Sequence, residues 1–297
     1  MKFEKLALIG CGLMGGSFAL ALKKAGLVDL VMGYSASERT RQKALELGVI
    51  DAIASNVVTA VQGADLVLVA VPVSATQATF AALAPALSAQ ALLMDVGSTK
   101  TDVVAAAMAT LGERLPCFVP AHPITGKEVA GVEHADADLY QNRQLILTPM
   151  ATSSLRKIAQ AHDVWEALGS QVITLNPEQH DATFAAVSHL PHLVAFALVN
   201  AISQQPKGAD HLSMAGPGFR DFSRIAASDP AVWRDILLAN RAQVMHQSSL
   251  LRQALDQLEN AMATGHAQAL EDLIAQASHT RAQWRLGGLA TDSDSDA

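Results

Sequence analysis

An apolar run, Leu6–Ile9, ends in Gly10-Cys-Gly12-Leu-Met-Gly15 and passes into a helical stretch reaching Ala25. Strand, glycine-rich loop and helix in that order constrain the fold more than any other feature of the 297 residues. The first glycine permits a tight turn, the second lets a pyrophosphate approach the backbone, and the third lets helix and strand close together. The helix N-terminus adds unpaired N–H groups and a positive dipole, so the loop reads as a dinucleotide cradle. Further apolar runs at Leu30–Tyr34, Leu66–Val71 and Leu92–Val96 alternate with helical stretches such as the polar Ser37–Leu47, which Gly48 stops. Strands apolar on both faces belong in a parallel sheet covered by helices on each side. The first half therefore reads as an α/β, Rossmann-type doubly wound sheet. Phe118–Ala121 and Leu145–Leu147 are expected as later strands, and Thr148-Pro149 closes this half.

Beyond Ser153 the pattern is helical apart from one short run, Val172–Leu175. Asn176-Pro177-Glu178 reads as a helix start, and Pro191 is expected to kink or break the helix that carries it. Gln204–Gly218 reads as a loop. Ser228-Asp229-Pro230 supplies an N-cap and a first-turn proline for one long helix. On it Val244, Leu251, Leu255, Leu258 and Met262 form a coiled-coil-like seam, either intrachain core or a subunit interface. The expected organisation is a dinucleotide-binding domain at 1–150, an all-α substrate and dimerisation domain at 151–287, and a disordered acidic tail at 288–297.

The formal net charge of −7 and the lack of a basic run argue against nucleic acid as a partner. Cys11 and Cys117 fit no metal or redox spacing and read as buried apolar residues in a reducing compartment. No signal-peptide h-region opens the chain, and no uninterrupted apolar stretch reaches the length of a membrane span, so a soluble cytoplasmic protein without membrane partners is expected. His189 and His192 lie three apart without neighbouring Cys or carboxylate ligands, so no metal is expected.

Two places bear on chemistry. At the end of the second strand an NAD site carries an acid for the ribose 2′-hydroxyl, yet Ser35 stands there, with Arg39 and Arg41 close behind. A hydroxyl and guanidinium groups suit a 2′-phosphate, so NADP or dual use is favoured over strict NAD; the alternative leaves both arginines on an exposed helix face. In Pro120-Ala-His-Pro-Ile-Thr-Gly126, His122 stands on a tight turn after a strand, where an imidazole can take a proton near neutrality. Ser98 follows another strand, at the carboxyl edge of the sheet where ligands bind. His180, His189 and His192, with Arg220, Arg224 and Arg234, add polar groups in the helical half. The six other histidines, His134, His162, His211, His246, His266 and His279, are expected to face solvent.

Together these stretches resemble one family, the prephenate and arogenate (cyclohexadienyl) dehydrogenases of tyrosine biosynthesis. The resemblance is carried by Leu8–Ser17, Val71-Pro-Val73, Asp95-Val-Gly-Ser-Thr-Lys100 and His122-Pro-Ile-Thr-Gly-Lys-Glu128. Ser188-His-Leu-Pro-His192, Phe219–Ala226 and Trp233-Arg-Asp235 continue it in family order. It implies an NAD(P)-dependent oxidative decarboxylation of prephenate to 4-hydroxyphenylpyruvate, with arogenate as the alternative substrate, on a homodimer.

By the same resemblance His122 accepts the ring 4-hydroxyl proton, and Ser98 orients His122 and the nicotinamide. His180 and His192 line the substrate pocket, Arg224 binds a carboxylate, and Glu128 and Asp221 position Arg224. Trp233, of the same chain or of the partner subunit, helps close the site, and Gly10, Gly12, Leu13, Met14, Gly15, Val71 and Pro72 line the cofactor. Lys127 and Ser35 depart from the commoner family pattern. No chorismate mutase segment is expected before residue 1 and no ACT-type domain after about 285, so any tyrosine inhibition would have to act at the active site. A hydroxyacid dehydrogenase on the same plan would need a helical-half lysine, where Lys207 is the only one beyond Lys157. A non-enzymatic NADP-sensing module is the remaining alternative.

Overall fold

The computed structural model describes residues 1–127 and 129–285. Its first contact unit is Met1–Val244 and its second begins at Met245. In the first unit, β1 (Phe3–Ile9) runs into α1 (Leu13–Lys24), then β2 (Val28–Tyr34), α2 (Glu38–Glu46), β3 (Ala52–Ile53) and α3 (Val57–Val61). There follow β4 (Leu66–Val69), α4 (Thr76–Leu83), β5 (Leu92–Asp95), α5 (Thr101–Thr110) and β6 (Phe118–Val119). The six strands form one parallel sheet in the order β3-β2-β1-β4-β5-β6. Every residue of β4 and β5 is buried, which is why both read as unbroken apolar runs.

The expected strand Phe118–Ala121 is two strands. Pro120 has no N–H to continue the ladder beside β5, and the chain turns into β7 (Ala121–Pro123), which pairs antiparallel with β8 (Gln144–Leu147). After α6 (Leu155–Ala167), β9 (Gln171–Thr174) joins β8 in parallel and completes a second, three-stranded sheet. His122 therefore sits inside a short strand opposite Ile146, not on the turn after one.

α7 (Pro177–Phe184) starts with a full capping box between Asn176 and Gln179. It continues through a π-helical turn, Ala185–His189, into α8 (Leu190–Ser203). Pro191 neither breaks nor ends the helix: it falls at the start of α8, directly after the wide turn, which has changed the bonding its missing N–H would have joined. Pro177–Ser203 is thus one helix of 27 residues, long and apolar enough by composition to cross a membrane, which the sequence reading did not anticipate. Here it carries His180, Asp181, His189 and His192 into polar contacts within the first unit.

The expected loop after Gln204 contains α9 (Gly208–Ser213) and the start of α10 (Pro217–Ser223). The long helix expected from Pro230 is divided at Asn240 into α11 (Pro230–Ala239), capped by Asp229, and α12 (Arg241–Ala263). The second unit comprises the rest of α12 and α13 (Ala267–Gln283), joined through Gly265 at φ +64 and capped by the His266 ring. Of the seam residues Val244 is buried, while Leu255 and Met262 are exposed. The acidic tail expected at 288–297 lies outside the described residues.

Candidate active site

The glycine loop has the geometry its sequence requires. Gly10 has φ +102, and a Cβ there would stand 2.2 Å from the Ala70 carbonyl oxygen. A Cβ on Gly15 would meet the Gly10 carbonyl oxygen at the same distance, so both positions serve close packing of the chain against itself. Gly12 differs: it is the N-cap of α1, and a Cβ would meet nothing within 4 Å. That open space fronts a cleft of about 410 Å³, lined by Gly12, Leu13, Met14, Val71, Pro72 and Ser98 on the sheet side and by Trp233 opposite. The donor set and the open helix terminus fit a dinucleotide pyrophosphate. We expect Gly12→Ala to fold with an unchanged thermal midpoint yet to weaken cofactor binding by at least about tenfold, as a methyl occupies the approach of the phosphates. Titration calorimetry checks this, and undiminished affinity would refute the placement.

At the end of β2, the Arg41 Nη1 donates to the Ser35 carbonyl oxygen at 2.6 Å, and the guanidinium lies 5.6 Å from the Tyr34 ring centroid. Arg41 is thereby held against the strand terminus, whereas Arg39 is exposed on α2.

A buried ion pair fixes the strand that carries His122. Asp95 ends β5 and pairs with the fully buried Lys100 Nζ at 2.5 Å. The Asp95 carboxylate accepts the Ala121 N–H at 3.1 Å while Lys100 Nζ donates to the Ala121 carbonyl at 2.8 Å. Both backbone groups of the residue before His122 are thus held by one pair of charges. Removing either partner would strand the other in the interior, at a cost of about 3–5 kcal/mol.

His122 belongs to a relay. Its Nδ1 is 2.8 Å from Nε2 of His180, whose Nδ1 is 2.8 Å from Asp181 Oδ1. Asp181 also accepts the backbone N–H groups of Lys100 at 2.8 Å and Thr101 at 2.9 Å, and the Thr101 hydroxyl. Burial pushes the Asp181 carboxyl up, but the hydrogen bonds from His180, Thr101 and the Lys100 backbone outweigh it and hold the group below the usual carboxylate range. An ionised Asp181 can only accept, so His180 carries its proton on Nδ1 and presents a bare Nε2. His122 must then donate from Nδ1, which leaves its own Nε2 as a lone-pair acceptor. Burial first, then the neighbouring His180, Lys100 and His189, hold the His122 imidazole well below its ordinary 6.5, in the neutral form a base requires. Phe184 stands edge-on to the His122 ring with centroids 5.1 Å apart.

The other expected residues fall as follows. His180 is fully buried behind His122 and does not line the cleft. The hydrogen-bond partner of His122 is His180 and not Ser98, whose backbone instead takes a hydrogen bond from the His189 ring. His192 stacks on Trp233 of its own chain, with centroids 3.5 Å apart and planes 20° apart, and its Nδ1 bonds the Ser188 carbonyl at 3.0 Å. Ser74 donates to Asp235 at 2.5 Å, which ties the turn after Val71-Pro72 to α11 beside Trp233. Asp221 is exposed and paired with Arg220 at 3.0 Å. Arg224 is exposed at the end of α10, and Glu128 lies outside the described residues. His122 is not among the residues lining the 410 Å³ cleft; the relay behind it is anchored on the Lys100–Thr101 backbone, which follows the cleft-lining Val96–Ser98 in sequence.

Asp181, Asn240 and Lys100 are not assigned a role by the sequence, and His189 enters there only as one of the polar groups of the helical half. An α-helix turning about 100° per residue puts positions 180 and 189 on opposite faces. The π turn between them absorbs roughly one residue of rotation, which brings both toward the loop after β5.

A doubly wound sheet with a glycine-rich cradle, and a neutral histidine held by a carboxylate relay, define a nicotinamide-dependent dehydrogenase. Residues 18–174 match the nucleotide-binding domain of prephenate dehydrogenase and residues 176–276 match its dimerization domain. The chain belongs to the prephenate dehydrogenase family and is an NAD(P)-dependent oxidoreductase. It is 35% identical over 296 residues to the cyclohexadienyl dehydrogenase of Zymomonas mobilis, covering 98% of each chain. It superposes with a TM-score of 0.89 and 34% identity on the prephenate dehydrogenase of Aquifex aeolicus in complex with hydroxyphenyl propionate and NAD+, covering 95% of this chain and 99% of that one. The Synechocystis arogenate dehydrogenase aligns at TM-score 0.79 and 27% identity over 95% of this chain and 100% of that one.

Proposed function

We propose that this chain catalyses the NAD(P)-dependent oxidative decarboxylation of prephenate to 4-hydroxyphenylpyruvate in the cytoplasm, working as a homodimer and favouring NADP or using both cofactors. The observation that carries the reaction is the His122–His180–Asp181 relay, which leaves one histidine nitrogen bare; the cleft at the glycine loop is the place for the dinucleotide. A nicotinamide bound there supplies the hydride acceptor. The chain's own residues hold and move the proton: His122 Nε2 takes it from the ring hydroxyl, and His180 and Asp181 hold the ring that receives it. Loss of the ring carboxylate as carbon dioxide then yields an aromatic product, so positioning is the main demand on the protein.

Arg224 is assigned to a substrate carboxylate, with Glu128 and Asp221 positioning it, and His192 with Trp233 forms a wall of the substrate pocket. The His192–Trp233 stack supports that wall. Arg41, pinned at the end of β2 beside Ser35, supports a site for a 2′-phosphate with Arg39. The family's dimerization domain, and the exposed Leu255 and Met262 on the seam, support the homodimer. The two buried free cysteines fit a reducing compartment. Steady-state assays of prephenate and arogenate, each with NAD and NADP, test the reading. Turnover of prephenate with NADP at least equal to NAD is expected. Dominant NAD use would overturn the role of Ser35, Arg39 and Arg41, and no turnover of either substrate would overturn the reaction.

A further inference from the structure

Asn240 occupies a fixed place. It closes α11 by donating its N–H to the Ile236 carbonyl and starts α12 by accepting the Val244 N–H, each at 3.0 Å. Only 4% of it is exposed. Its side-chain nitrogen donates to the Asp181 backbone carbonyl at 2.7 Å and lies 3.1 Å from His189 Nδ1. The flipped amide would press its oxygen against the Asp181 carbonyl, acceptor on acceptor, so the nitrogen must face both groups. An amide NH₂ has hydrogens and no lone pair to offer, so His189 Nδ1 accepts. The His189 proton is then on Nε2, and from there the ring donates to the Ser98 backbone. His189 is itself 1% exposed.

We infer that Asn240 is a positioning residue for the reaction assigned above, locking His189 in one tautomer and tying the His122 relay to the loop that carries Ser98. The chain of contacts runs from Asp181 through Asn240 and His189 to Ser98. The same loop gives two backbone N–H groups to the Asp181 carboxylate. One amide thus couples the element that holds the base to the edge of the cofactor cleft. The tautomer pattern is distinctive: His122, His180 and His192 donate from Nδ1, and His189 alone of the four donates from Nε2.

The kinetic part rests on the proposed reaction; the tautomer part does not. Nitrogen-15 histidine spectra of the full chain at neutral pH are expected to show His189 protonated at Nε2. Asn240→Ala should lower kcat on the order of tenfold, with KM for cofactor and substrate within about threefold, because it loosens the placement of the base more than binding. Asn240→Asp keeps the shape but replaces a donor by an acceptor; it should move the His189 proton to Nδ1 and leave kcat low. A wild-type His189 protonated at Nδ1 overturns the inference even if no variant folds. An Asn240→Ala chain that loses thermal stability but keeps kcat within about twofold also overturns it, since a merely structural residue behaves that way. Absence of any turnover with the Nε2 tautomer present would count against the reaction and leave the lock standing.

Discussion

His122→Asn is expected to lower kcat by about 10²–10⁴, the usual worth of a positioned base, while cofactor affinity stays unchanged. The substitution isolates basicity. An asparagine amide can still donate toward His180 Nε2, so the relay behind it stays filled, but no atom at that place can take a full proton. The cofactor cleft is lined by other residues, so binding measured by calorimetry should not move. In the unaltered chain the fall of turnover with acid should begin below pH 6.5, because burial and the neighbouring His180, Lys100 and His189 depress the His122 imidazole from that value. Turnover retained within about threefold in the variant would remove His122 from the chemistry. Loss of cofactor affinity together with turnover would point to a collapsed site instead.

The parallel sheet was legible because its signal is local. Strands buried on both faces must be apolar throughout, as in β4 and β5, and the glycine loop marks the chain reversal between β1 and α1. Where tertiary pairing decides, the sequence reads differently. Pro120 announces that a ladder stops, yet nothing nearby says that the next three residues will pair antiparallel with β8. The π turn was invisible for a different reason: apolar periodicity assumes a constant rotation, and one wide turn shifts every later position on the helix.

The same shift explains the site. His122 was found from its place at the sheet edge and from the family resemblance, but the polar groups behind it depend on a rotation that no spacing rule supplies. His180 was expected to face substrate and instead faces His122; Ser98 was expected to orient His122 and instead meets His189. Asn240 passed unnoticed because an asparagine between two helical stretches reads as punctuation, and only its burial distinguishes it.

The state that makes His122 a base also makes the fold acid-labile, and a large loss of stability between pH 7.5 and pH 5 is expected. Burial depresses four histidines, His122, His180, His189 and His192, below the ordinary 6.5, His189 to about 4. In the unfolded chain each protonates near 6.5, whereas in the folded chain each stays neutral until its depressed value is reached. Between those limits the unfolded state binds more protons, so stability is intact above pH 6.5 and falls as pH drops toward the folded values. Each such proton is worth at most about 1.4 kcal/mol per pH unit; His189, neutral in the fold down to about 4, contributes close to that slope between pH 6 and 5, and the other three add in the same direction. Against a domain stability of about 5–15 kcal/mol even the His189 contribution is a sizeable share, and it alone corresponds to a fall in Tm of roughly 3–6 °C per pH unit. Calorimetric scans at constant ionic strength test it, and a Tm flat from pH 7.5 to 5 would mean that these rings are charged or solvated in the fold. His189→Gln should remove about one proton from the slope while leaving the other three. If the slope instead vanished with His189, the histidines would titrate as a single coupled network, and the neutrality of His122 would depend on a residue that never touches substrate.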